Sequence, residues 1–394
     1  MIISKVTSLQ TFGRAFVILS KHNLGEHIAN NIIAPFNKNL LKLTQQPNDS
    51  FVFDKYKDDV DFWALAAGSG SSFKPFTKEL TNITNIPINK VSLPIKTDDD
   101  NHIHLLDWAM AMAAPFAKDN KIEYIIAEKP SGSFGDIVAY NKKMMAAGAE
   151  VKNTIVCCGD NVFDVKPREL DKFMLETIRN PKKVMGLVGV EKTPKETANR
   201  FMIFSLMPNR ETKKDDIISL NGFIELPNLK TANKNILPNG NCVCNTGMFV
   251  IKKEAMKALM DEIAINPDVI KKNDREPYDF KLACEWVKNK YGADACDVKV
   301  VNTKEWNALG QLPELYSFYN KVKQGYFLSE FGKYGEMIKN SISKRFNYNE
   351  KTKCGEWLLS DRYNSLDEIP AEVKIATPEY IYSFNNAGTF VKIF

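Results

Sequence analysis

A short apolar run that stops at a glycine-rich loop constrains the fold of this chain more than any other feature of the sequence. The run begins at Trp63, and the loop contains Gly68 and Gly70, in the segment WALAAGSGSSFKPFTK. Glycine lets a backbone approach a ligand closely, and successive N–H groups in such a loop form a concavity that fits phosphate oxygens. The segment therefore predicts a buried strand followed by a phosphate-binding loop.

Strands and helices alternate along the chain from about Val60, which predicts an α/β fold. Candidate strands are Asp61–Ala66, Ile122–Ala127, Asn153–Cys158, Val184–Val190, Phe201–Leu206, Ile217–Glu225, Met248–Ile251 and Asp297–Val301. Candidate helices are Leu105–Lys118, Ile137–Ala147, Pro167–Ile178, Lys253–Ile265 and Tyr278–Lys290. The alternation predicts right-handed βαβ units in a mostly parallel, Rossmann-like sheet. The consecutive strands between residues 184 and 225 predict an antiparallel insertion on that sheet.

Composition divides the chain into three parts. Residues 1–57 are predicted to be an N-terminal extension that contains a helix around Gly25–Leu43. Residues 58–320 are predicted to form the main domain. Residues 321–394 form a C-terminal extension rich in Lys, Tyr and Asn, without a hexapeptide repeat of the kind that builds a β-helix.

The bulk composition narrows the functional class. A net charge of +5 over 394 residues is too weak to argue for nucleic acid as a partner, although it suits anionic substrates. The 7 cysteines are an odd number without framework spacing, which favours a reduced, cytoplasmic setting. The N-terminus does not read as a signal peptide, and no apolar run is long enough to span a bilayer, so no membrane partner is expected. Oligomeric state is not readable from the sequence.

A second anchor for chemistry lies at Gly159-Asp160-Asn161, directly after the predicted strand Asn153–Cys158. Ligands of open α/β folds bind at the carboxyl edge of the sheet, and this pattern places a carboxylate at that edge. A carboxylate is also what Mg²⁺ needs beside a triphosphate. The alternative is an ordinary turn, because Gly-Asp-Asn is also common turn chemistry.

These segments together resemble the sugar nucleotidyltransferases, the nucleoside-diphosphate-sugar pyrophosphorylases. The family signature runs Leu-Ala-x-Gly-x-Gly-Thr-Arg-Leu-x-Pro-Leu-Thr. The matching residues are Leu65, Ala66, Gly68, Gly70, Pro75 and Thr77. The resemblance covers about residues 60–320 and implies a three-layer α/β/α fold. It also implies that a nucleoside triphosphate and a sugar 1-phosphate react to give an NDP-sugar and pyrophosphate, with Mg²⁺ as cofactor.

The resemblance also implies roles for individual residues, because further family motifs occur along the chain in the same order. Lys90, in the segment INKVSLPI, resembles the family's second signature lysine, and Asp160 inherits the metal-binding role. The nucleotide-binding residues implied are Ala67, Gly68, Ser69, Gly70, Ser71, Gly132, Ser133 and Gly159. The sugar-phosphate-binding residues implied are Glu225, Asn245, Thr246 and Gly247. For the loop at Gly132-Ser133 the alternative is a Gly-Ser loop that caps a helix.

Three positions depart from the family pattern where it carries charge. Ser72 stands in place of the signature Arg, Leu226 in place of the Lys of Glu-Lys-Pro, and Ala308 in place of the second metal-binding Asp. Lys74 lies two residues beyond Ser72 and is a candidate catalytic cation, and Asn307 is a candidate metal ligand through a neutral oxygen. Lys192 and Lys195 are alternative cations from the insertion.

Three functional hypotheses follow. The first is a sugar-1-phosphate nucleotidyltransferase, with activity weakened by the three departures. The second is a non-catalytic nucleotide-binding or regulatory module on the same fold. The third is a metal-dependent glycosyltransferase that uses Asp98–Asp100, although this motif does not follow an apolar strand as such a motif should. The identities of the base and of the sugar remain open.

Overall fold

The fold is known from a computed structural model. It describes residues 15–19, 22–44, 53, 55–66, 77, 89–92, 94–96, 102–117, 119, 121–126, 132–163, 167–205, 216–274, 276–301, 306–310, 314, 318, 321, 346–349, 354–358, 381–384 and 390–392.

The strands are β1 Ala15–Leu19, β2 Val60–Leu65, β3 Pro94–Lys96, β4 His102–His104, β5 Glu123–Ile126, β6 Asn153–Cys158, β7 Asn161–Phe163, β8 Met185–Lys192, β9 Ile203–Ser205, β10 Ile217–Ser219, β11 Gly222–Ile224, β12 Cys242–Ile251, β13 Cys296–Val301, β14 Trp306–Ala308, β15 Phe346–Asn349, β16 Cys354–Leu358, β17 Ile381–Phe384 and β18 Phe390–Lys392. The α-helices are α1 His22–Ile28, α2 Ala34–Thr44, α3 Leu106–Ala113, α4 Gly135–Ala146, α5 Pro167–Arg179, α6 Pro194–Thr197, α7 Leu229–Asn233, α8 Lys253–Ile265 and α9 Phe280–Tyr291. A π-helical segment, Ala29–Ile33, joins α1 to α2, and 3-10 turns follow α3 at Ala114–Phe116 and α9 at Ala293–Ala295.

The main sheet has the strand order β10-β13-β8-β12-β6-β2-β1-β5. Only β12 and β10 run against the common direction among these strands, because each pairs antiparallel with its neighbours while the other pairings along the order are parallel. The short strands β9 and β11 form an antiparallel pair that attaches to β12 at one side. The predicted α/β class, the mostly parallel sheet and the antiparallel insertion are confirmed.

Helices cover both faces of this sheet. Side chains of a strand alternate between its faces, so that on β2 Phe62 and Ala64 enter one apolar core and Trp63 enters the other. The first core also contains buried side chains of α2, α3 and α5, whereas the second contains those of α4, α8 and α9. The arrangement is the predicted three-layer α/β/α fold.

Local sequence explains where several helices begin and end. Pro167 begins α5, a position at which proline removes no intrahelical hydrogen bond. Asp279 caps α9 by accepting a hydrogen bond from the Leu282 N–H at 3.0 Å. Gly292 follows α9 with φ +90°, a conformation that favours glycine.

The N-terminal segment contributes to the main sheet and to its core. β1 lies between β2 and β5 and is parallel to both. In the helical region 22–44, Phe36 and Leu40 are buried in the first core. The side-chain amide of Asn37 donates to the Ile122 carbonyl at 3.0 Å and accepts from the Ile122 N–H at 2.9 Å, which fastens α2 to the start of β5. The predicted boundaries at residues 57 and 320 stay predictions.

Two sequence-based expectations need correction. The predicted strand Ile217–Glu225 is two strands, because β10 pairs with β13 whereas β11 pairs with β9. The first candidate strand from the sequence, Asp61–Ala66, is preceded in the same sheet by β1. In the C-terminal part, β15 to β18 form a separate antiparallel sheet. Within the described residues, no helix is both long enough and apolar enough to cross a membrane.

Candidate functional site

The carboxyl ends of β2 and β6 meet, as the sequence predicted. The two strands are parallel neighbours with Leu65 opposite Cys158. The Gly159 N–H donates to the Leu65 carbonyl at 3.0 Å, so the chain leaves both strands at one point. A Cβ on Gly159 would lie 2.9 Å from Leu106 Cδ1 and 3.0 Å from the Leu65 carbonyl oxygen. These short distances explain why a residue without a side chain occupies this position. The glycine-rich segment predicted to bind phosphate, with Ala67, Gly68, Ser69, Gly70, Ser71 and Lys74, lies outside the described residues.

Lys90 and Asp160 form an ion pair at this edge. The Lys90 ammonium donates to Asp160 Oδ2, and the side chains are 17% and 27% exposed. A turn holds Lys90 in place: Asn89 Oδ1 accepts from the Ser92 N–H at 2.9 Å, and Ser92 Oγ accepts from the Asn89 N–H at 2.8 Å. Both charges remain partly accessible to solvent, so a cation and a carboxylate are presented side by side at this edge.

The segment 306–309 contacts Asp160 and the neighbouring strand β7. β14 pairs antiparallel with β7 and brings Ala308 opposite Asn161. The Leu309 N–H donates to the Asp160 carbonyl at 3.0 Å. The Asn161 side-chain amide donates to Asp160 Oδ1 at 3.1 Å and accepts from the Trp306 indole N–H at 3.0 Å. These contacts join two motifs that are far apart in the sequence.

A bulge in β12 lies beside the end of β6. The register of β12 against β8 shifts between Asn245 and Phe249, and Gly247 within the bulge has φ +72°. Asn245 Oδ1 accepts from the Gly247 N–H at 3.1 Å, and buried Thr246 donates its hydroxyl to the Val188 carbonyl at 2.8 Å. The Cys158 thiol donates to the Gly247 carbonyl at 3.6 Å. The predicted sugar-side motif is therefore adjacent to the strand that carries Gly159 and Asp160.

Electrostatics make Cys158 a poor nucleophile despite its position. Burial raises the pKa of its thiol to about 12; the Asp160 carboxylate adds to this rise and the Lys90 ammonium opposes it. A thiol with such a pKa remains protonated at neutral pH, and only the thiolate is strongly nucleophilic. Cys158 is therefore not a candidate nucleophile at this edge.

The loop at Gly132 and Ser133 packs against the start of α9. Ser133 Oγ accepts from the Phe280 N–H at 2.9 Å, and the Tyr278 carbonyl accepts from the Phe134 N–H at 3.1 Å. A Cβ on Gly132 would collide with the Tyr278 carbonyl oxygen, and φ there is +92°. No side chain caps the start of α4, the helix that this loop opens, and Ser133 instead contacts the start of α9. The nucleotide-binding role of Ser133 stays a prediction.

Beside this loop, Asp136 lies in the first turn of α4. Burial raises the pKa of its carboxyl to about 6.

Glu225 has a cationic partner that the sequence analysis did not identify. Lys272 donates to Glu225 Oε1 at 2.9 Å and lies 3.7 Å from Glu276 Oε2. The next residue, Leu226, is 54% exposed and has φ +44°, a conformation that a leucine rarely adopts. The cation beside Glu225 thus comes from the α8–α9 connection and not from position 226.

The donor set suits a magnesium ion that arrives with phosphates. No cluster of three or more His, Cys, Asp or Glu side chains able to hold a metal occurs among the described residues. Mg²⁺ is commonly bound through one or two carboxylates together with substrate phosphates. Asp160 supplies one such carboxylate, whereas Ala308 supplies no side-chain donor. Asn307 is placed by its backbone opposite Val162, and its role as a ligand stays a prediction.

The structure therefore brings Lys90, Gly159 and Asp160 together and sets Asn245, Thr246 and Gly247 on the adjacent strand. None of the contacts described for Gly132, Ser133 and Glu225 involves Lys90 or Asp160, and each of these three residues has a neighbour within 272–280. Two residues at the site were not singled out for a role of their own, Asn161 and Trp306. The sequence could have pointed to them only because both lie in segments that resemble family motifs.

Comparison with known proteins adds little to this geometry. No family model matches the chain, and no curated protein matches it. A solved structure of UDP-glucose pyrophosphorylase in complex with UDP-glucose is similar at 11% identity and a TM-score of 0.38, over 78% of this chain and 99% of that chain. At that identity and TM-score, the function of this chain has to be argued from its own residues.

Proposed function

We propose that this chain binds a nucleoside triphosphate with Mg²⁺ at the carboxyl ends of β2 and β6 and transfers its nucleotidyl group to a sugar 1-phosphate. The observation that carries the proposal is the ion pair between Lys90 and Asp160. Asp160 lies just after β6, next to the end of β2, after which the glycine-rich segment begins. The sequence resemblance supplies the substrate class, and the α/β fold is one whose ligands bind at this edge.

The reaction needs cations around phosphate oxygens. A phosphate oxygen of the sugar 1-phosphate attacks the α-phosphorus of the triphosphate, the bond from the α-phosphorus to the bridging oxygen breaks, and pyrophosphate leaves. Negative charge grows on the oxygens around the α-phosphorus, and preorganised positive groups stabilise it. Lys90 is the described side chain that fits this role, since a lysine ammonium is a mobile point charge able to reach phosphate.

Asp160 is the residue that would hold the metal. When bound, Mg²⁺ would neutralise phosphate charge and orient the triphosphate. Asp160 keeps its backbone fixed through the Leu309 N–H and its carboxylate oxygens directed towards Lys90 and Asn161. Lys90 would then exchange its carboxylate partner for a phosphate of the nucleotide. The departure at Ala308 means that the nucleotide itself supplies the remaining charged ligands.

The bulge in β12 is the proposed contact for the sugar phosphate. Asn245 is half-buried there, and Gly247 takes a backbone conformation that frees its carbonyl from the regular ladder. Glu225 with Lys272 is the second candidate contact, through a carboxylate for sugar hydroxyls and an ammonium for phosphate. Glu225 follows β11, which is connected to β12 through β9.

Two specific observations favour a second function. Ala308 lies opposite Asn161, where the family pattern places a metal-binding carboxylate, and Leu226 is exposed where that pattern places a lysine. A chain with both losses can bind a nucleotide and fail to turn it over. This is the non-catalytic module predicted as the alternative.

Pyrophosphate release decides between the two. The common nucleoside triphosphates are each assayed with a panel of sugar 1-phosphates and Mg²⁺, in parallel with calorimetric binding. Release that depends on both substrates and falls strongly in Asp160→Asn supports the enzyme. Nucleotide binding without release in any combination supports the non-catalytic module, and the absence of both removes the proposal.

A further inference from the structure

We propose that Trp306 and Asn161 form a positioning relay that fixes the orientation of the Asp160 carboxylate. The segment after Trp306 thereby serves the cation site without supplying a ligand to it. This inference rests on the proposed function for its consequence, although its geometry can be tested without any ligand.

The hydrogen-bond chemistry of its two partners allows the Asn161 side-chain amide only one orientation. An indole N–H can only donate, so it must face Asn161 Oδ1, which it does at 3.0 Å. An ionised carboxylate can only accept, so Asp160 must face the NH₂ group of Asn161, which it does at 3.1 Å. Both demands select the same amide orientation. A flipped amide would set two donors against each other and two acceptors against each other.

The strand pairing holds the relay in place. In the β7–β14 pair, Trp306 is opposite Phe163 and Ala308 is opposite Asn161. Directly paired residues and residues two apart share one face of such a ribbon, so Trp306 and Asn161 are diagonal neighbours on it. Both residues are buried, and the Trp306 ring packs on Phe201 with centroids 4.9 Å apart. A buried hydrogen bond on a packed ring leaves the amide little freedom to turn.

The relay gives the two carboxylate oxygens of Asp160 different partners. Oδ1 is held by Asn161, which leaves Oδ2 directed to Lys90 and to the cation that the proposed function requires. Residues that orient a metal ligand in this way commonly contribute about 10- to 100-fold in metal affinity. Trp306 is thus a positioning residue, because it acts through Asn161 and not on the substrate.

Trp108 provides a matched control. It is also a buried tryptophan beside β7, with its ring 5.1 Å from that of Phe163, and none of the contacts described for it involves Asn161 or Asp160. Trp306→Phe and Trp108→Phe therefore remove similar indole surface from the same neighbourhood. Only the first removes the donor of the relay.

The first measurement needs no ligand. In ¹⁵N-labelled protein, which has 5 tryptophans, the indole signal of Trp306 is assigned by its loss in Trp306→Phe. The relay predicts that Asn161→Ala shifts this signal upfield in ¹H and speeds its exchange with water, while the Trp108 signal keeps its position. An unchanged Trp306 signal in Asn161→Ala would overturn the relay, whether or not the chain binds nucleotides.

The second measurement is the Mg²⁺ concentration that gives half-maximal nucleotide binding. Trp306→Phe should raise it by about 10-fold or more, and Trp108→Phe should leave it within about twofold. In an Asp160→Asn background, Trp306→Phe should have no further effect. Equal shifts in both tryptophan variants would reduce Trp306 to a packing role. A wild-type protein without Mg²⁺-dependent binding would instead overturn the proposed function, and the indole signals would still decide the relay.

Discussion

Lys90 and Asp160 are 70 residues apart in the chain, yet their side chains form an ion pair at the carboxyl edge of the sheet. Each stays partly exposed, so neither charge is sealed in the core. An ion pair that is largely removed from water incurs a desolvation cost that can offset its attraction, so the pair is weak evidence for a stabilising role. Its place at the edge where α/β folds bind ligands makes function the better explanation for two opposite charges there.

Removal of the Lys90 charge should impair the reaction more than the fold. Lys90→Met keeps most of the side-chain length and should lower turnover by about 10²–10³, because one preorganised charge is lost around the reacting phosphate. Steady-state pyrophosphate release and thermal unfolding are measured together. Lys257→Met is the control: Lys257 also pairs with an aspartate, Asp261 at 2.7 Å, but on the exposed surface of α8. Equal losses in both variants would contradict the role of Lys90.

Substitution by alanine should destabilise the protein more at Gly247 than at Gly240, although both glycines have a positive φ. A Cβ on Gly247 would lie 2.6 Å from Cys158 Sγ, whereas a Cβ on Gly240, at φ +85°, meets no atom within 4 Å. Both Gly→Ala variants incur about 1–3 kcal/mol of backbone strain. Only Gly247→Ala adds a clash, so its free energy of unfolding should be the lower of the two in urea denaturation. Cys158→Ala should recover the difference, and failure to do so would argue against this contact.

An acidic residue at position 308 should make stability respond to Mg²⁺. Ala308 shares a ribbon face with Asn161, whose amide contacts Asp160, so Ala308→Asp places a second carboxylate near the first. Like charges this close repel, and the melting temperature should fall without metal and recover with Mg²⁺. Ala308→Asn has nearly the same shape without the charge and should show a smaller recovery. Identical Mg²⁺ responses in the two variants would count against a metal beside Asp160.

Buried Asp61 should give the free energy of unfolding a specific pH dependence. Burial raises its pKa from 3.8 to about 7, and the Lys152 charge opposes that rise. Between these values the native state keeps a proton that the unfolded chain has lost, so the free energy of unfolding falls as pH rises from 3.8 to about 7 and levels off above it. One pKa unit corresponds to about 1.4 kcal/mol, so the total is a few kcal/mol at most. Urea titrations of wild type and Asp61→Asn at pH 5 and pH 8 test this, and Asp61→Asn should flatten the change. A parallel fall in both proteins would rule out Asp61 as its source.

The secondary structure was largely predictable because its elements are long and periodic. The helix Lys253–Ile265 and the strand Asn153–Cys158 have the predicted bounds. β1 was not predicted, since a five-residue apolar run becomes a strand only through parallel partners that lie far along the chain. The split between β10 and β11 was also hidden, because it depends on two different partner strands.

The site was predictable where a motif placed a charged residue after a strand. Asp160 is such a residue, whereas Lys90 belongs to a segment that resembles a family motif, and the structure sets the two side by side. The link from Trp306 to Asn161 was not predictable, because it spans 145 residues and joins an indole N–H to an amide that carries no charge. The partner of Glu225 was missed for a similar reason: Lys272 arrives from a connection between two helices, where a lysine reads as solvated surface.

The most direct test of the central claim is calorimetric titration of the whole chain with each common nucleoside triphosphate, with and without Mg²⁺. The account predicts that at least one triphosphate binds, that Mg²⁺ strengthens this binding, and that Asp160→Asn removes most of the gain from Mg²⁺ without unfolding the protein. Binding that is the same in wild type and Asp160→Asn, or no binding to any triphosphate, would contradict it.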